Sequence, residues 1–138
     1  MAHTIQIVTT IKINGNQVTS FLRDIEVEAT DSITVDVRGT ADASGPDTDK
    51  EVELQPTSTS GRVTFIGIVA DRYDANLKYK VNATDNPAVP LDQPQVLLGE
   101  GAVGLLDTAA APTSLFFSST IAENAEIQIL VGRDATPP

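Results

Sequence analysis

The chain has 138 residues, the length of one ordinary domain, and no cysteine, which excludes disulfide bonds and thiolate metal sites. Its 19 acidic residues outnumber 9 basic ones, and the resulting net charge of −10 argues against binding to a phosphate backbone, which requires clustered Lys and Arg. Aromatic residues make up 4% of the chain, too few to predict a surface that stacks on bases or sugars.

The first third of the chain alternates apolar and polar residues with a period of two. In TIQIVTTIKI, residues 4–13, the isoleucines fall on one face of an extended strand. Asn14-Gly15-Asn16 is a strong turn signal, and QVTSFLRDIEVEA resumes the extended pattern, so the sequence predicts a long hairpin. The alternation slips at residues 21–24, which predicts a bulge or a strand break there. A third strand follows, with Ile33, Val35 and Val37 pointing inward.

The rest of the chain consists of short strand candidates separated by turn-forming loops at 39–49 and 56–61. A nearly continuous apolar run at 63–69 predicts a central strand, with Gly67 marking a bulge or a close neighbour. The pattern as a whole predicts an all-β fold, a single antiparallel β-sandwich or jelly-roll-like domain over residues 1–138. Mobile termini are expected at a short arm, 1–3, and a tail at about 132–138. The predicted core comprises Ile5, Ile7, Val27, Ile33, Val35, Phe65, Ile68, Val81, Phe116, Ile127 and Ile129.

A glycine motif, G-x-G-x-x-G, lies in QVLLGEGAVGLLD at residues 95–107. A dinucleotide site would need this motif inside a βαβ unit, with a helix N-terminus at the pyrophosphate. Pro112 limits any following helix to about two turns, and the carboxylate of Glu100 would repel phosphate. We therefore expect no nucleotide cofactor. The motif predicts a loop in which glycine adopts positive φ, with Val103, Leu105 and Leu106 contacting the core or a neighbouring subunit.

Acidic residues form two groups that could carry chemistry. Asp24, Glu26 and Glu28 alternate along one strand, a spacing compatible with glycoside hydrolysis. The apolar residues between them favour the other interpretation, the solvated face of a half-buried strand. The loop 42–51 carries oxygen ligands suited to Ca²⁺ without EF-hand spacing, and calcium binding there stays open. His3 is the single histidine, so neither a catalytic triad nor a multi-histidine metal site can be assembled. We expect no enzyme activity.

A basic patch is predicted around one hairpin, where Lys78 and Lys80 lie near Arg62 and Arg72. Two interpretations remain. The lysines are the solvent face of an edge strand, where Lys discourages unwanted pairing, or they form a contact for an acidic partner. The N-terminus, MAHTIQIVTT, has neither the basic nor the apolar segment of a signal peptide, and no run of about 18 apolar residues predicts a membrane span. We expect synthesis in the cytoplasm and no membrane association.

The hairpin TIQIVTTIKINGNQVTSFLRDIEVEATDSITVDV and the ending SLFFSSTIAENAEIQILVGRDATPP resemble small virion proteins of tailed phages. Capsid decoration, or cement, proteins are the nearest group. The resemblance implies a β-rich homo-oligomer that binds the major capsid protein or a similar shell protein on the capsid surface and stabilises the head. A trimer would match the threefold points of a capsid lattice. The resemblance implies no catalytic residue and no nucleic-acid partner.

Two other function classes remain as alternatives. A carbohydrate- or ligand-binding β-sandwich module would use Tyr73 and Tyr79 as an aromatic platform. A small hydrolase on a jelly roll would require a pocket with convergent carboxylates.

Overall fold

A computed structural model describes residues 3–54 and 63–133. That part of the chain forms ten strands and one short helix. The strands are β1 (His3–Ile13), β2 (Asn16–Val27), β3 (Ala29–Val37), β4 (Lys50–Glu53), β5 (Val63–Ala70), β6 (Asp74–Val81), β7 (Val89–Leu91), β8 (Gln95–Leu98), β9 (Ser114–Ser119) and β10 (Ala125–Arg133). The helix, α1 (Gly99–Val103), is a single turn between β8 and β9.

Two four-stranded antiparallel sheets pack against each other. The first sheet has the strand order β3-β10-β5-β8 and the second β4-β9-β6-β7. One cluster of buried side chains fills the space between them, with Ile66, Ile68 and Ile129 from the first sheet and Tyr79 and Phe117 from the second. The prediction of an all-β, sandwich-like fold is therefore confirmed.

The third sheet is the N-terminal hairpin alone, in which β1 pairs with β2 and with no other strand that the structure describes. Asn14 and Gly15 turn the chain with φ of 52° and 80°, the pair of positive values that a two-residue type I′ turn requires. The predicted hairpin is thus correct. The predicted bulge or strand break at 21–24 is wrong, because β2 continues through these residues. The register shifts between Ile11 and Lys12 instead, where Val18 is the unmatched residue of β2.

Three residues assigned to the core lie elsewhere. Ile5 and Ile7 belong to the hairpin and are half-buried, because most of the hairpin extends beyond the sandwich. Phe116 points out of the second sheet and is half-buried, whereas its neighbour Phe117 is fully buried. The alternation of β9 sets the register, and a one-residue difference exchanges the two faces of a strand.

The last described strand is longer than the sequence predicts. Gly132 and Arg133 were assigned to the tail, but both pair with β3 as part of β10. Arg133 Nε also donates a hydrogen bond of 3.1 Å to Asp31 Oδ2, which fastens the strand end. His3 likewise is the first residue of β1, although the sequence placed it in a mobile N-terminal segment, 1–3. The rest of both predicted terminal segments, residues 1–2 and 134–138, lies outside the described residues. Nowhere in 3–54 or 63–133 is there a helix with the length and apolar character to cross a membrane.

Candidate functional site: a hairpin arm and its groove

The hairpin β1–β2, which we call the arm, exposes an unusual number of large apolar side chains. Six of them are between 41% and 67% exposed: Val8, Ile11, Ile13, Val18, Phe21 and Leu22. A two-stranded hairpin by itself is at best marginally stable in water. Contiguous exposed apolar surface usually marks a contact with another molecule. The arm is therefore the strongest candidate for a functional surface in the described part of the chain.

The pairing register divides the arm into two faces, since directly paired residues point to the same side. Ile5 pairs with Ile25, Thr9 with Phe21 and Ile11 with Thr19, which makes an isoleucine face. Gln6 pairs with Asp24 and Val8 with Leu22 on the opposite side, the Val8–Leu22 face. Both faces carry exposed apolar groups, so contact with one surface cannot cover the arm completely.

The base of the arm is fixed to the outer face of the first sheet at Gly132. A Cβ atom at that position would lie 2.7 Å from Ile5 Cδ1, 3.1 Å from Val27 Cγ1 and 3.2 Å from Phe65 Cβ. Glycine therefore allows Ile5 and Val27 of the arm to pack directly on the backbone of β10. This contact sets the direction in which the rest of the arm leaves the sandwich.

An apolar groove of about 360 Å³ lies between the base of the arm and the first sheet. Its floor includes a cross-strand row in which Gly67 is flanked by Leu130, 41% exposed, and Val96, 50% exposed. The ring of Phe65 lies over Gly67, which confirms the close neighbour that this glycine predicted. The groove is lined by Ile5, Gln6, Ile7, Val8, Thr30, Asp31, Phe65, Val96, Leu130 and Val131.

Charge is distributed unevenly between the arm and the rest of the molecule. Residues 7–23 contain two charged side chains, Lys12 and Arg23, and both are basic. All 19 acidic residues lie elsewhere in the chain. Residues 7–23, which we call the distal arm, thus form a basic and largely apolar hairpin segment on an otherwise acidic protein.

The glycine motif forms the one-turn helix α1 and its flanks, outside any βαβ unit, because β8 pairs antiparallel with β5. Gly99 has a φ of +83°, as the loop interpretation predicts. Of the three apolar residues assigned to a contact, Val103 is 2% exposed in the core and Leu106 packs against the core. Leu105 is 77% exposed and is available to a partner.

The predicted basic patch is largely paired with acidic groups. Lys80 Nζ lies 3.2 Å from Asp49 Oδ1, in a half-buried ion pair. Arg72 lies 3.7 Å from both Asp71 and Glu123. Lys78 is exposed on β6. Arg62, the fourth member, lies outside the described residues.

Three acids of loop 42–51, Asp42, Asp47 and Asp49, are engaged with protein groups. Arg38 donates to both carboxylate oxygens of Asp47, through its backbone N–H at 2.8 Å and its guanidinium at 2.9 Å. Burial favours the neutral form of Asp47, but these hydrogen bonds prevail and hold its pKa below the usual value. Asp42 also has a lowered pKa, because the backbone N–H of Ser44 and the side chain of Asn124 donate to it. Among the described residues, no three acidic or histidine side chains converge as metal ligands.

The strand acids are separated by the structure. Asp24 and Glu26 are exposed on the Val8–Leu22 face, where Gln6 Nε2 donates to Asp24 at 3.2 Å. Glu28 lies in the bend between β2 and β3, so the expected row of three on one strand is wrong. Its backbone N–H donates to the carbonyl of Arg133 at 3.1 Å.

Neither tyrosine offers the platform that a sugar-binding module would need. Tyr79 is fully buried, and burial raises its pKa to about 12. Its hydroxyl donates a hydrogen bond to Gln95 Oε1. Tyr73 is half-buried, and its hydroxyl accepts the backbone N–H of Ala70 at 2.9 Å.

The arm was predicted as a hairpin but not as an exposed one. One signal could have indicated it. β1 and β2 have 11 and 12 residues, about twice the mean strand length, so a small sandwich cannot cover them along their whole length. Comparisons with protein families, with curated proteins and with solved structures found no match to this chain.

Proposed function

We propose that this protein is a non-enzymatic virion structural protein, a capsid decoration or cement subunit that assembles on the outside of a phage head and stabilises it. The observation that supports this proposal is the arm, with exposed apolar side chains on both faces. We infer that the partner is a phage head from the sequence resemblance alone. The arm supplies the assembly surface that such a role requires.

A protein that works by assembly needs surfaces rather than a pocket with tuned ionisable groups. The shifted groups among the described residues have local causes: hydrogen bonds lower the pKa of Asp42 and of Asp107, hydrogen bonds that outweigh burial lower that of Asp47, and burial raises that of Tyr79. Shifted groups that share a cleft can mark an enzyme. Asp42 and Asp47 do line one open cavity, but Asn124 and Arg38 occupy their carboxylates. The arm instead offers an exposed apolar contact area on both of its faces, which favours an interaction protein.

The partner is a shell protein, and the subunit is a homo-oligomer with a trimer as the expected symmetry. Closed cyclic symmetry is the common arrangement for copies of one chain, and a trimer fits a local threefold point of a capsid lattice. Carbohydrate binding is not supported by a specific observation, because Tyr79 is buried and Tyr73 is engaged with the backbone.

The test is binding to phage heads that lack the protein. Purified protein is mixed with such heads, and co-sedimentation and the temperature of genome release are measured. We expect stoichiometric binding and a higher release temperature.

Leu22 is 58% exposed on the arm. Leu22→Asp places a charge at this position and should abolish binding to the heads. Ala75→Asp is the control with the same new charge, because Ala75 is exposed on β6 of the second sheet, away from the arm and the groove. Heads that neither bind the protein nor gain heat resistance would rule the proposal out.

A further inference from the structure

We propose that the distal arm of one copy lies in the groove of a second copy, with its isoleucine face against the first sheet. This inference rests on the assembly role proposed above and names one partner of the assembly surface, a second copy of this chain. The contacting residues of the arm are Ile11, Ile13 and Phe21, and those of the groove are Phe65, Val96 and Leu130.

The two surfaces are matched in chemistry. The groove presents Leu130 and Val96 to solvent beside a nearly buried Phe65, and Gly67 leaves room between them. The isoleucine face presents Ile11, Ile13 and Phe21. Aromatic anchors that enter an apolar pocket carry most of the energy of typical interfaces, and Phe21 is the exposed aromatic side chain of the arm.

Charge favours a copy of the same chain over a basic partner. Arg23 is the one charged residue of the isoleucine face, where it pairs with Ile7 in the register. The body that surrounds the groove carries the acidic excess, since all 19 acidic residues lie outside residues 7–23. Asp31, which lines the groove, is already paired with Arg133, so the complementarity rests on the body as a whole. A basic arm and an acidic body on one chain are complementary between copies, which steers association and fixes orientation.

The arm cannot fill its own groove. Ile5 lines the groove and is held at Gly132. Ile11 lies six residues further along an extended strand, roughly 20 Å away. The distal residues therefore reach a groove only on another molecule. Each copy that gives its arm to the next makes a head-to-tail contact, which closes into a ring when the rotation permits.

The two faces of the arm then have different partners. The isoleucine face contacts the neighbouring copy, and the Val8–Leu22 face remains for the shell. Phe21 and Leu22 are adjacent in sequence and point to opposite sides. The same substitution at these two positions therefore separates self-association from shell binding.

The first experiment uses the absence of cysteine from the natural chain. A Phe21→Cys variant is mixed with a Val96→Cys variant under mild oxidation, and disulfide-linked dimers are quantified by non-reducing electrophoresis and peptide mass spectrometry. We expect the mixed dimer to exceed, by roughly tenfold or more, that formed by Phe21→Cys with Lys78→Cys, which lies on the second sheet. Equal crosslinking in the two mixtures would overturn the inference.

The second experiment measures mass by sedimentation equilibrium. Phe21→Asp should raise the dissociation constant of the oligomer roughly 30-fold or more, while Leu22→Asp leaves it nearly unchanged and loses binding to heads. Circular dichroism establishes that both variants are folded. Equal effects of the two substitutions on oligomer mass would overturn the inference.

The inference and the proposed function can fail separately. A monomeric wild-type protein that still binds heads would overturn the arm exchange and leave the decoration role intact. An oligomer that forms the Phe21–Val96 crosslink but binds no head would support the arm exchange and overturn the decoration role. A Val96→Cys crosslink to the capsid protein in place of the arm would assign the groove to the shell and overturn the inference.

Discussion

At the residue scale, Gly39 is the glycine, among those in the described part of the chain, where an added methyl group meets the closest backbone atoms. A Cβ atom there would lie 2.4–2.6 Å from the backbone carbonyl oxygens of Ile121, Ala122 and Glu123. These atoms cannot yield like the end of a side chain, because the carbonyls of Ile121 and Ala122 accept hydrogen bonds from Thr40 and Ala41.

We expect Gly39→Ala to lower the free energy of unfolding by about 1–3 kcal/mol, measured by urea denaturation. Gly101→Ala is the control, since a Cβ atom there meets nothing within 4 Å. It should stay within about 0.5 kcal/mol of the wild type. A Gly39→Ala protein as stable as the control would contradict the close backbone approach.

The carboxylate of Asp47 gives stability a dependence on pH. Its folded-state pKa is lowered because the hydrogen bonds from Arg38 outweigh the opposing effect of burial. A lowered pKa means that the contribution is complete above the unfolded-state value, about 4, and is lost as pH falls through the folded-state value. Asp47→Asn should therefore cost about 1–3 kcal/mol at pH 7 and progressively less below pH of about 4. A variant deficit that is constant from pH 7 to pH 3 would exclude this role of the carboxylate.

Leu105 and Val103 differ in burial although the sequence groups them. Val103 is 2% exposed and Leu105 77%, so Val103→Asp should unfold the protein, whereas Leu105→Asp should change stability by less than about 0.5 kcal/mol. Thermal unfolding by circular dichroism distinguishes these outcomes. A loss of stability in Leu105→Asp would place this residue in the core.

At the element scale, the sequence predicted the positions of the strands more accurately than it predicted which other elements cover each strand face. Alternation with a period of two indicates that one face of β1 is apolar, but it does not indicate what covers that face. Ile5 and Ile7 were assigned to the core for this reason. The phenylalanines at 116 and 117 show a related limit, since two adjacent apolar residues leave the register of β9 undecided until neighbouring strands fix it. The groove could not be predicted, because it depends on the contact between Ile5 and Gly132 across the whole chain.

The arm should be the least protected element in the free protein. Its distal amides form hydrogen bonds within one two-stranded ribbon, and local opening is easiest where few buried apolar contacts oppose it. We expect amides of residues 9–21 to exchange hydrogen at least roughly a hundredfold faster than those of β10 under dilute conditions, and to become protected at concentrations where the protein self-associates. Amide exchange followed by mass spectrometry provides the measurement. Protection of the arm equal to that of β10 in the monomer would mean that the arm needs no partner.

At the scale of the whole molecule, two electrostatic effects oppose each other. Each copy carries a net charge of −10, so two copies repel over long range. Lys12 and Arg23 on the distal arm attract an acidic body at short range. Salt shortens the Debye length from about 30 Å at 0.01 M to about 3 Å at 1 M. The repulsion, which acts over the greater distance, is screened first, and the apolar contact is not screened. Self-association of the wild-type protein should therefore strengthen as salt rises from 0.01 M.

A double variant isolates the contribution of the arm. In Lys12→Gln with Arg23→Gln, the short-range attraction is removed while the apolar side chains of the arm remain. We expect this variant to associate more weakly than the wild type at about 0.1 M salt, where the Debye length is about 10 Å, and to approach it at 1 M. Sedimentation equilibrium across this range gives both dissociation constants. Lys78→Gln with Lys80→Gln is the control, with the same change of net charge on the second sheet. Circular dichroism must show that this variant stays folded, because it loses the ion pair between Lys80 and Asp49. Equal effects of the two double variants would show that net charge alone, and not the basic arm, governs association.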